Sequence, residues 1–330
     1  MARSMGWRRM SEPDETDLPD EFEQIARLYR PLTRGAPEAL ALLDDAAVIG
    51  SRPGYDLVIT KDAVVEGVHF PWGERRDLVA RKLLRTNLSD LAAKGAQPYG
   101  YFLAVAWPAD TPFSSRQHFA NGLEVDGAAF DVSLLGGDTV STSGPLSASL
   151  TLLGWVPQGQ AVLRSGARSG DLVMVSGPIG DGGLGLAAVQ GSWPGQDGYL
   201  RGRYELPSPR LDLREGLRRW ASACADISDG LIADAGHIAT ASGVALRLDL
   251  DKIPVSTAAQ AWLDVQPDRA LALSRLASFG DDYELVITAP PSAAAVLGLP
   301  VVGAVEAGSG ITVTYAGQPM AAGARGWSHP

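Results

Sequence analysis

A chain of 330 residues, 45% hydrophobic and 20% charged, is long enough for two domains with cores of their own and has an ordinary soluble composition. A formal net charge of −10 argues against general nucleic-acid or anionic-membrane binding, since both need basic patches. The single cysteine, Cys224, excludes an intramolecular disulfide framework, its alanine neighbours mark it as a buried thiol, and the cytoplasm is the expected compartment.

Met1 to Met10 carries Arg3, Arg8 and Arg9 with no apolar run behind them, so it does not read as a secretory signal, and residues 1–17 are read as a disordered extension. A polar, acidic run then leads into a first helix, Phe22 to Tyr29. Leu42 to Ile49 sets Asp44 and Asp45 among apolar residues, and Asp56 to Thr60 reads as the next strand, ending at Lys61 and Asp62. An exposed Asp pair is more often a turn than a metal site. His69, in Glu66 to Phe70, receives no role from its spacing.

Leu78 to Lys94 is the clearest helix, with Leu84, Leu88 and Leu91 on one face and Gly95 as its stop. Leu83, Asn87 and Asp90 follow i, i+4, i+7, so a polar pair lies beside the buried stripe, facing either a site or solvent. Pro98 to Trp107 reads as a strand and Phe113 to Phe130 as a helix. Val132 to Thr139 is a further strand, ending in Gly136, Gly137 and Asp138. Paired glycines let backbone N–H groups approach a phosphate, and an adjacent Asp can hold the accompanying metal, but a hairpin turn into Leu146 to Trp155 explains them equally well. Thr139 to Leu163 is uncharged but broken by Gly, Pro, Ser and Gln, so it is not a membrane span.

Pro157 to Gln160 separates two α/β halves, taken as residues 18–157 and 158–330. The glycine-rich Gly177 to Gly183 follows a strand, Asp171 to Ser176, yet none of the four lysines precedes Ser or Thr, so there is no Walker A motif. Gly191 to Gly202 and Leu206 to Arg210 read as loops. At Asp226-Ile227-Ser228-Asp229-Gly230-Leu231 a small apolar strand meets a helix carrying Leu231, Ala235, Ile238 and Ala239 and ending at Gly243. Ser228 or Asp229 is the natural N-cap, and capping alone explains one such acid. Asp226 is different, because a carboxylate at the end of an apolar strand must be paired, hydrogen-bonded or metal-bound. Two carboxylates around a hydroxyl give the oxygen-only ligand set that Mg²⁺ prefers.

Together, Leu43-Asp44-Asp45-Ala46-Ala47, Thr60-Lys61-Asp62 through Phe70, Asn87 to Gly95, Leu135-Gly136-Gly137-Asp138-Thr139, Arg164 to Ala167, Asp226 to Leu231 and Phe279-Gly280-Asp281-Asp282-Tyr283-Glu284-Leu285 resemble the thiamine-monophosphate kinase family. The match runs in order from about Glu21 to Trp327. The resemblance implies a two-domain α/β and α+β fold of the aminoimidazole-ribonucleotide-synthetase-like superfamily: an N-terminal α/β domain that binds ATP and metal, whose mixed sheet pairs across a homodimer, and a C-terminal α+β domain. It implies transfer of the γ-phosphoryl of ATP to thiamine monophosphate, giving thiamine diphosphate, with several Mg²⁺ ions as cofactor. Nucleic acid and membrane are not expected as partners.

Residue by residue, Asp45, Thr60, Asp62, Asp90, Asp138, Asp226 and Asp229 match the family's magnesium positions, Asp62 and Asp229 acting on the chemistry through metal with no general base. Gly137, Asp138, Arg164 and Ser228 match positions near ATP, and His69, Asp281 and Trp327 match positions near the thiamine substrate. Lys61 stands where the family usually has a small hydroxyl residue, Asp281 where it often has Glu, and Leu43 where glycine is common. Two other readings stand beside this one: another ATP-dependent synthetase of the superfamily, and a non-catalytic thiamine-phosphate-binding protein, favoured only by Lys61.

Overall fold

The structure, a computed structural model, describes residues 19–193 and 198–320. Helix α1 (Glu21–Gln24) starts at Asp20, whose carboxylate accepts the Glu23 N–H at 2.8 Å, and continues through wider and tighter turns to Thr33. Four strands follow, with two long helices between them: β1 (Tyr55–Val65), α2 (Arg76–Ala93), β2 (Gln97–Pro108), α3 (Phe113–Phe130), β3 (Ser133–Thr142) and β4 (Ser147–Pro157). The strand order is β1-β4-β2-β3, antiparallel except for the parallel β2–β3 pair.

Strand alternation gives this sheet two faces. Leu103, Leu150 and Leu152 pack with Leu83, Leu84 and Leu88 of α2 and Phe119 and Leu123 of α3 into one core. The opposite face carries Leu57, Ile59, Lys61 and Ala63 of β1, all exposed.

Beyond Pro157 the elements are β5 (Leu172–Val175), α4 (Asp181–Val189), α5 (Gly198–Glu205), α6 (Arg214–Trp220), β6 (Ala223–Asp226), α7 (Leu231–Ser242), β7 (Ala245–Asp249), α8 (Thr257–Asp264), α9 (Arg269–Leu276), β8 (Leu285–Ala289), α10 (Pro291–Leu297), β9 (Val301–Glu306), β10 (Gly310–Tyr315) and β11 (Gln318–Pro319). They build a mixed seven-stranded sheet, β11-β10-β7-β9-β5-β8-β6. Val173, Ala225 and Val286 face α7 to α9, while Met174, Cys224 and Ile287 face α6, α10 and Ala93 at the end of α2. Helix α2 therefore belongs to both halves. Among the described residues no helix is long and apolar enough to cross a membrane.

Helices α2 and α3 and strand β2 lie where periodicity puts them, but several boundaries differ. Leu42 to Ile49 forms no strand; Leu40, Ala41 and Leu42 take left-handed φ values of 48°, 56° and 54°, so the chain turns there. Strand β1 does not stop at Lys61 and Asp62 but runs to Val65, held by eleven consecutive pairings with β4. The glycine pair lies inside β3, not at a hairpin: a Cβ at Gly137 would stand 1.9 Å from the Leu103 carbonyl oxygen, so the glycine allows β2 and β3 to approach. Residues from Gly198 onward are helical because Leu200 and Tyr204 are buried against α4 and its surroundings. Neither Ser228 nor Asp229 caps α7; its N-cap is Gly230, with the capping carboxylate supplied from inside the helix.

Candidate active site

Thr60 and Asp62 point inward from β1, alternating with exposed Ile59, Lys61 and Ala63. The Thr60 hydroxyl donates to Asp90 of α2, and Asp62 lies beside Thr86, one helical turn earlier, whose own hydroxyl donates to the Leu83 carbonyl oxygen at 3.0 Å. Asp226 ends β6, which packs against the same helix, and it is 4% exposed. The inner face of β1, the last turn of α2 and the end of β6 thus converge at the seam between the two halves.

Electrostatics shows how close these acids are. Burial first, and then the charge of Asp90, pushes the Asp62 carboxyl up to about 6. Burial raises Asp90 as well, against the pull of the Thr60 hydroxyl, Arg164 and Lys94. Asp226 is raised well above the ordinary carboxylate range by burial and then by Asp90, Asp234 and Asp62. The cations beside the group are Lys94, itself pushed down by burial, and Arg164. Buried carboxylates that destabilise one another's charge, with oxygen donors only, fit a hard divalent cation.

Asp229 lies on the turn after β6. The Asp234 carboxylate accepts the N–H groups of Asp229 at 3.0 Å and Gly230 at 3.1 Å, and burial followed by the Asp229 charge raises Asp234 to about 7. Gly230 has φ 114°, and a Cβ there would stand 2.8 Å from the Ser278 carbonyl carbon, so only glycine fits. Asp229, Asp234 and His237 each bring a ligand atom to within 4.8 Å of the others, a group that could hold a metal ion.

The segment Phe279 to Glu284 lies against this turn. Asp281 and Tyr283 take positive φ values of 66° and 49°, strained for side-chain-bearing residues. Backbone bonds from Asp281 N–H to the Ser228 carbonyl (2.9 Å) and from Tyr283 N–H to the Ile227 carbonyl (2.8 Å) hold them. Buried acids support the loop from behind: Asp282 accepts the N–H groups of Gly180 (2.7 Å) and Gly182 (2.9 Å), although burial still pushes it up to about 8. Fully buried Glu284 accepts from Ser176 (2.5 Å), Arg203 (2.8 Å) and Arg210.

Asp281 is in turn 2.8 Å from Lys82 Nζ, which lies 3.4 Å from the centroid of the Tyr204 ring. The Tyr204 hydroxyl donates to the His69 carbonyl oxygen at 3.3 Å, and His69 Nδ1 accepts the Val65 N–H at 3.1 Å. His69 and Asp281 are therefore linked through Tyr204 and Lys82. Burial of the Tyr283 hydroxyl, together with Asp281, Asp62, Asp226 and Asp90, raises its pKa, so this chain of contacts adjoins the carboxylate group. Trp327 lies outside the described residues.

Asp45 and Asp138 are not part of that group within one chain. They border a cavity of about 810 Å³ with Phe102, Gly136 and Gly137. Asp138 shares a row with Ala104, Ser149 and Ala63, on the face opposite Asp62 and three strands from β1, about 14 Å at ordinary strand spacing. Lys61 is on that same outer face, its Nζ 3.4 Å from the Thr151 hydroxyl, so its ammonium does not join Asp62 and Asp90.

Lys82, Thr86, Asp234, Asp282 and Glu284 were not singled out from the sequence. Lys82 and Thr86 did carry a signal, since they precede Asp90 by eight and four residues and so share its helix face. Asp282 and Glu284 carried none, because their partners lie 74 to 108 residues away.

Residues 43–156 match the family model "AIR synthase related protein, N-terminal domain", and residues 168–315 match its C-terminal counterpart. The chain is 57% identical over 320 residues to the thiamine-monophosphate kinase of Caulobacter vibrioides, covering 94% of this chain and 91% of that one. Its fold is similar to the crystal structure of thiamine-monophosphate kinase from Stenotrophomonas maltophilia K279a (TM-score 0.77, 38% identity, 89% and 96% of the two chains). It is also similar to AaThiL complexed with AMPPCP and TMP (TM-score 0.74, 30% identity, 82% and 87%).

Proposed function

The chain belongs to the AIR synthase related family and, within it, to the thiamine-monophosphate kinases, and from this premise we propose how it carries out ATP-dependent phosphorylation of thiamine monophosphate to thiamine diphosphate. The observation that carries the reading is the group of half-buried Asp62 and Asp90 with buried Asp226 at the seam, next to the linked pair His69 and Asp281. The acceptor is a phosphate already anionic near neutral pH, so no general base is required. What is required is alignment of two mutually repelling anions.

Asp62, Asp90, Thr60, Asp226 and Asp229 would hold magnesium at the seam, and Asp45 and Asp138 would hold it at the cavity. Several bound Mg²⁺ ions would supply the positive charge that lets donor and acceptor phosphates approach. Arg164 and Ser228 would meet the nucleotide from the second half, and Gly137 and Asp138 from the first. His69, Asp281 and Trp327 would receive the thiamine moiety, Trp327 by stacking on its cationic ring. In this account residues 18–157 form the ATP- and metal-binding domain and residues 158–330 the second domain.

The outer sheet face suits a second copy. Leu57 (41% exposed), Ile59 (60%) and Val140 (50%) form an apolar surface that a homodimer would cover. We infer that the pairing also lets Gly137 and Asp138 of one protomer serve the seam of its partner, since both lie far from Asp62 in their own chain. The compartment we assign is the cytoplasm. The non-catalytic reading loses its one support, because Lys61 stands apart from the carboxylates.

Incubation with ATP, Mg²⁺ and either thiamine monophosphate or unphosphorylated thiamine tests the reading. Thiamine diphosphate should form only from the monophosphate and disappear in Asp226→Asn. Equal phosphorylation of both acceptors would refute it.

A further inference from the structure

We propose that Lys82 is a further substrate-contacting residue, whose ammonium takes an oxygen of the acceptor's phosphate. This deepens the proposed function and rests on it.

Helix α2 presents Asp90, Thr86 and Lys82 at four-residue intervals, so the three lie along one face, about 6 Å apart in rise. Asp90 accepts the Thr60 hydroxyl and Thr86 lies beside Asp62, which places these two at the carboxylate group. Lys82 continues the line toward Asp281. It is 9% exposed, which for a lysine on a helix is unusual, since the flexible side chain ordinarily keeps its ammonium in water.

The ammonium is held but not satisfied. Asp281 Oδ1 is 2.8 Å away as an ion pair, and the Tyr204 ring lies beneath it at 3.4 Å. Yet Nζ has no well-aligned hydrogen-bond partner among the described residues. An ammonium carries three donors, and leaving them unfilled in a buried position is costly. Burial accordingly pushes the Lys82 pKa down, with Asp281 pulling it back.

The surroundings indicate what fills those donors. The neighbouring guanidiniums are committed elsewhere: Arg76 to buried Glu66 and Arg203 to buried Glu284. Lys94 and Arg164 act at the Asp90 end. That leaves Lys82 as the cation at the Asp281 end of the seam among the described residues, where the acceptor must bring a phosphate past several aspartates. Asp281 and Tyr204 fix the ammonium so that it need not be ordered when the anion arrives. A charge-assisted Lys–phosphate bond is the chemistry a compact ammonium provides.

Calorimetric binding of thiamine monophosphate and of unphosphorylated thiamine, with Mg²⁺ present, separates a phosphate contact from a packing role. Wild type should bind the monophosphate more tightly than thiamine. Lys82→Met should weaken monophosphate binding about 10–100-fold while leaving thiamine within about twofold, and Lys82→Arg should recover part of the loss. Circular dichroism checks folding, and Lys82→Gln takes the place of Lys82→Met if the latter does not fold. An equal loss for both ligands, or no loss for either, overturns the assignment while leaving the kinase reading intact. Wild type that binds neither ligand removes the functional reading and this inference together.

Discussion

Asp234 accepts the backbone N–H groups of Asp229 at 3.0 Å and of Gly230 at 3.1 Å, so one carboxylate from the first turns of helix α7 both caps the helix and fixes the turn that carries Asp229. Asp234→Ala should therefore cost about 1–2 kcal/mol of stability, as loss of a cap with a buried charged acceptor does. It should also lower turnover more than it lowers thiamine monophosphate affinity, because Asp229 would move and Asp281 would not. Urea unfolding and steady-state kinetics on the same preparation check both; loss of stability with unchanged kcat would restrict Asp234 to capping.

Magnesium and pH should be linked. The Asp62 pKa is raised from 3.8 to about 6 in the folded protein, so without metal its contribution to stability is complete below about pH 4 and is lost as pH rises through about 6; Asp226, raised well above the ordinary carboxylate range, acts in the same direction. Metal binds the deprotonated carboxylates, so stabilisation by Mg²⁺ should grow across the same range. Thermal unfolding at about pH 5.5 and pH 8, with and without Mg²⁺, should show the larger metal-induced rise in Tm at the higher pH. Asp62→Asn should flatten the metal-free pH slope. An equal Mg²⁺ effect at both pH values would place metal binding elsewhere.

Glu284 is the buried anchor of the Phe279 to Glu284 segment, bonded to Ser176, Arg203 and Arg210. Its replacement by alanine strands two guanidiniums and should destabilise the protein by about 3–5 kcal/mol, the usual result of breaking a buried pair from one side. Since Glu284 directly follows the strained backbone at Asp281 and Tyr283, the KM for thiamine monophosphate should rise before that for ATP does. Denaturant titration and separate KM measurements for the two substrates test the pair of effects.

The seam was legible in outline because its acids interrupt apolar patterns: Asp62 in an alternating run, Asp90 on an apolar-striped helix, Asp226 after three small residues. Which acids meet was not legible, since Asp138 reads like Asp62 until sheet order places them on opposite faces. The glycine pair was misplaced at a hairpin because close strand approach and a tight turn ask for the same residue. Lys82 escaped notice because only its tertiary partners, Asp281 and Tyr204, show that it is buried.

Sheet-face pairing gives a further expectation. Ile59→Glu places a charge on the exposed apolar face of β1 and should leave secondary structure unchanged while converting the proposed dimer to monomer. If Gly137 and Asp138 act across the pair, activity should fall by at least about tenfold with dissociation. Analytical ultracentrifugation and assay at matched protein concentration decide this; a fully active monomer would show that one chain holds a complete site.

Direct phosphoryl transfer is the central claim, and the fate of the γ-phosphate of ATP tests it most directly. With γ-labelled ATP, Mg²⁺ and thiamine monophosphate, label should appear in the terminal phosphate of thiamine diphosphate, one for each ADP formed, and should vanish in Asp62→Asn. Label released as orthophosphate without thiamine diphosphate, over a full range of Mg²⁺ concentrations, would contradict the account and point to the synthetase chemistry of the wider family.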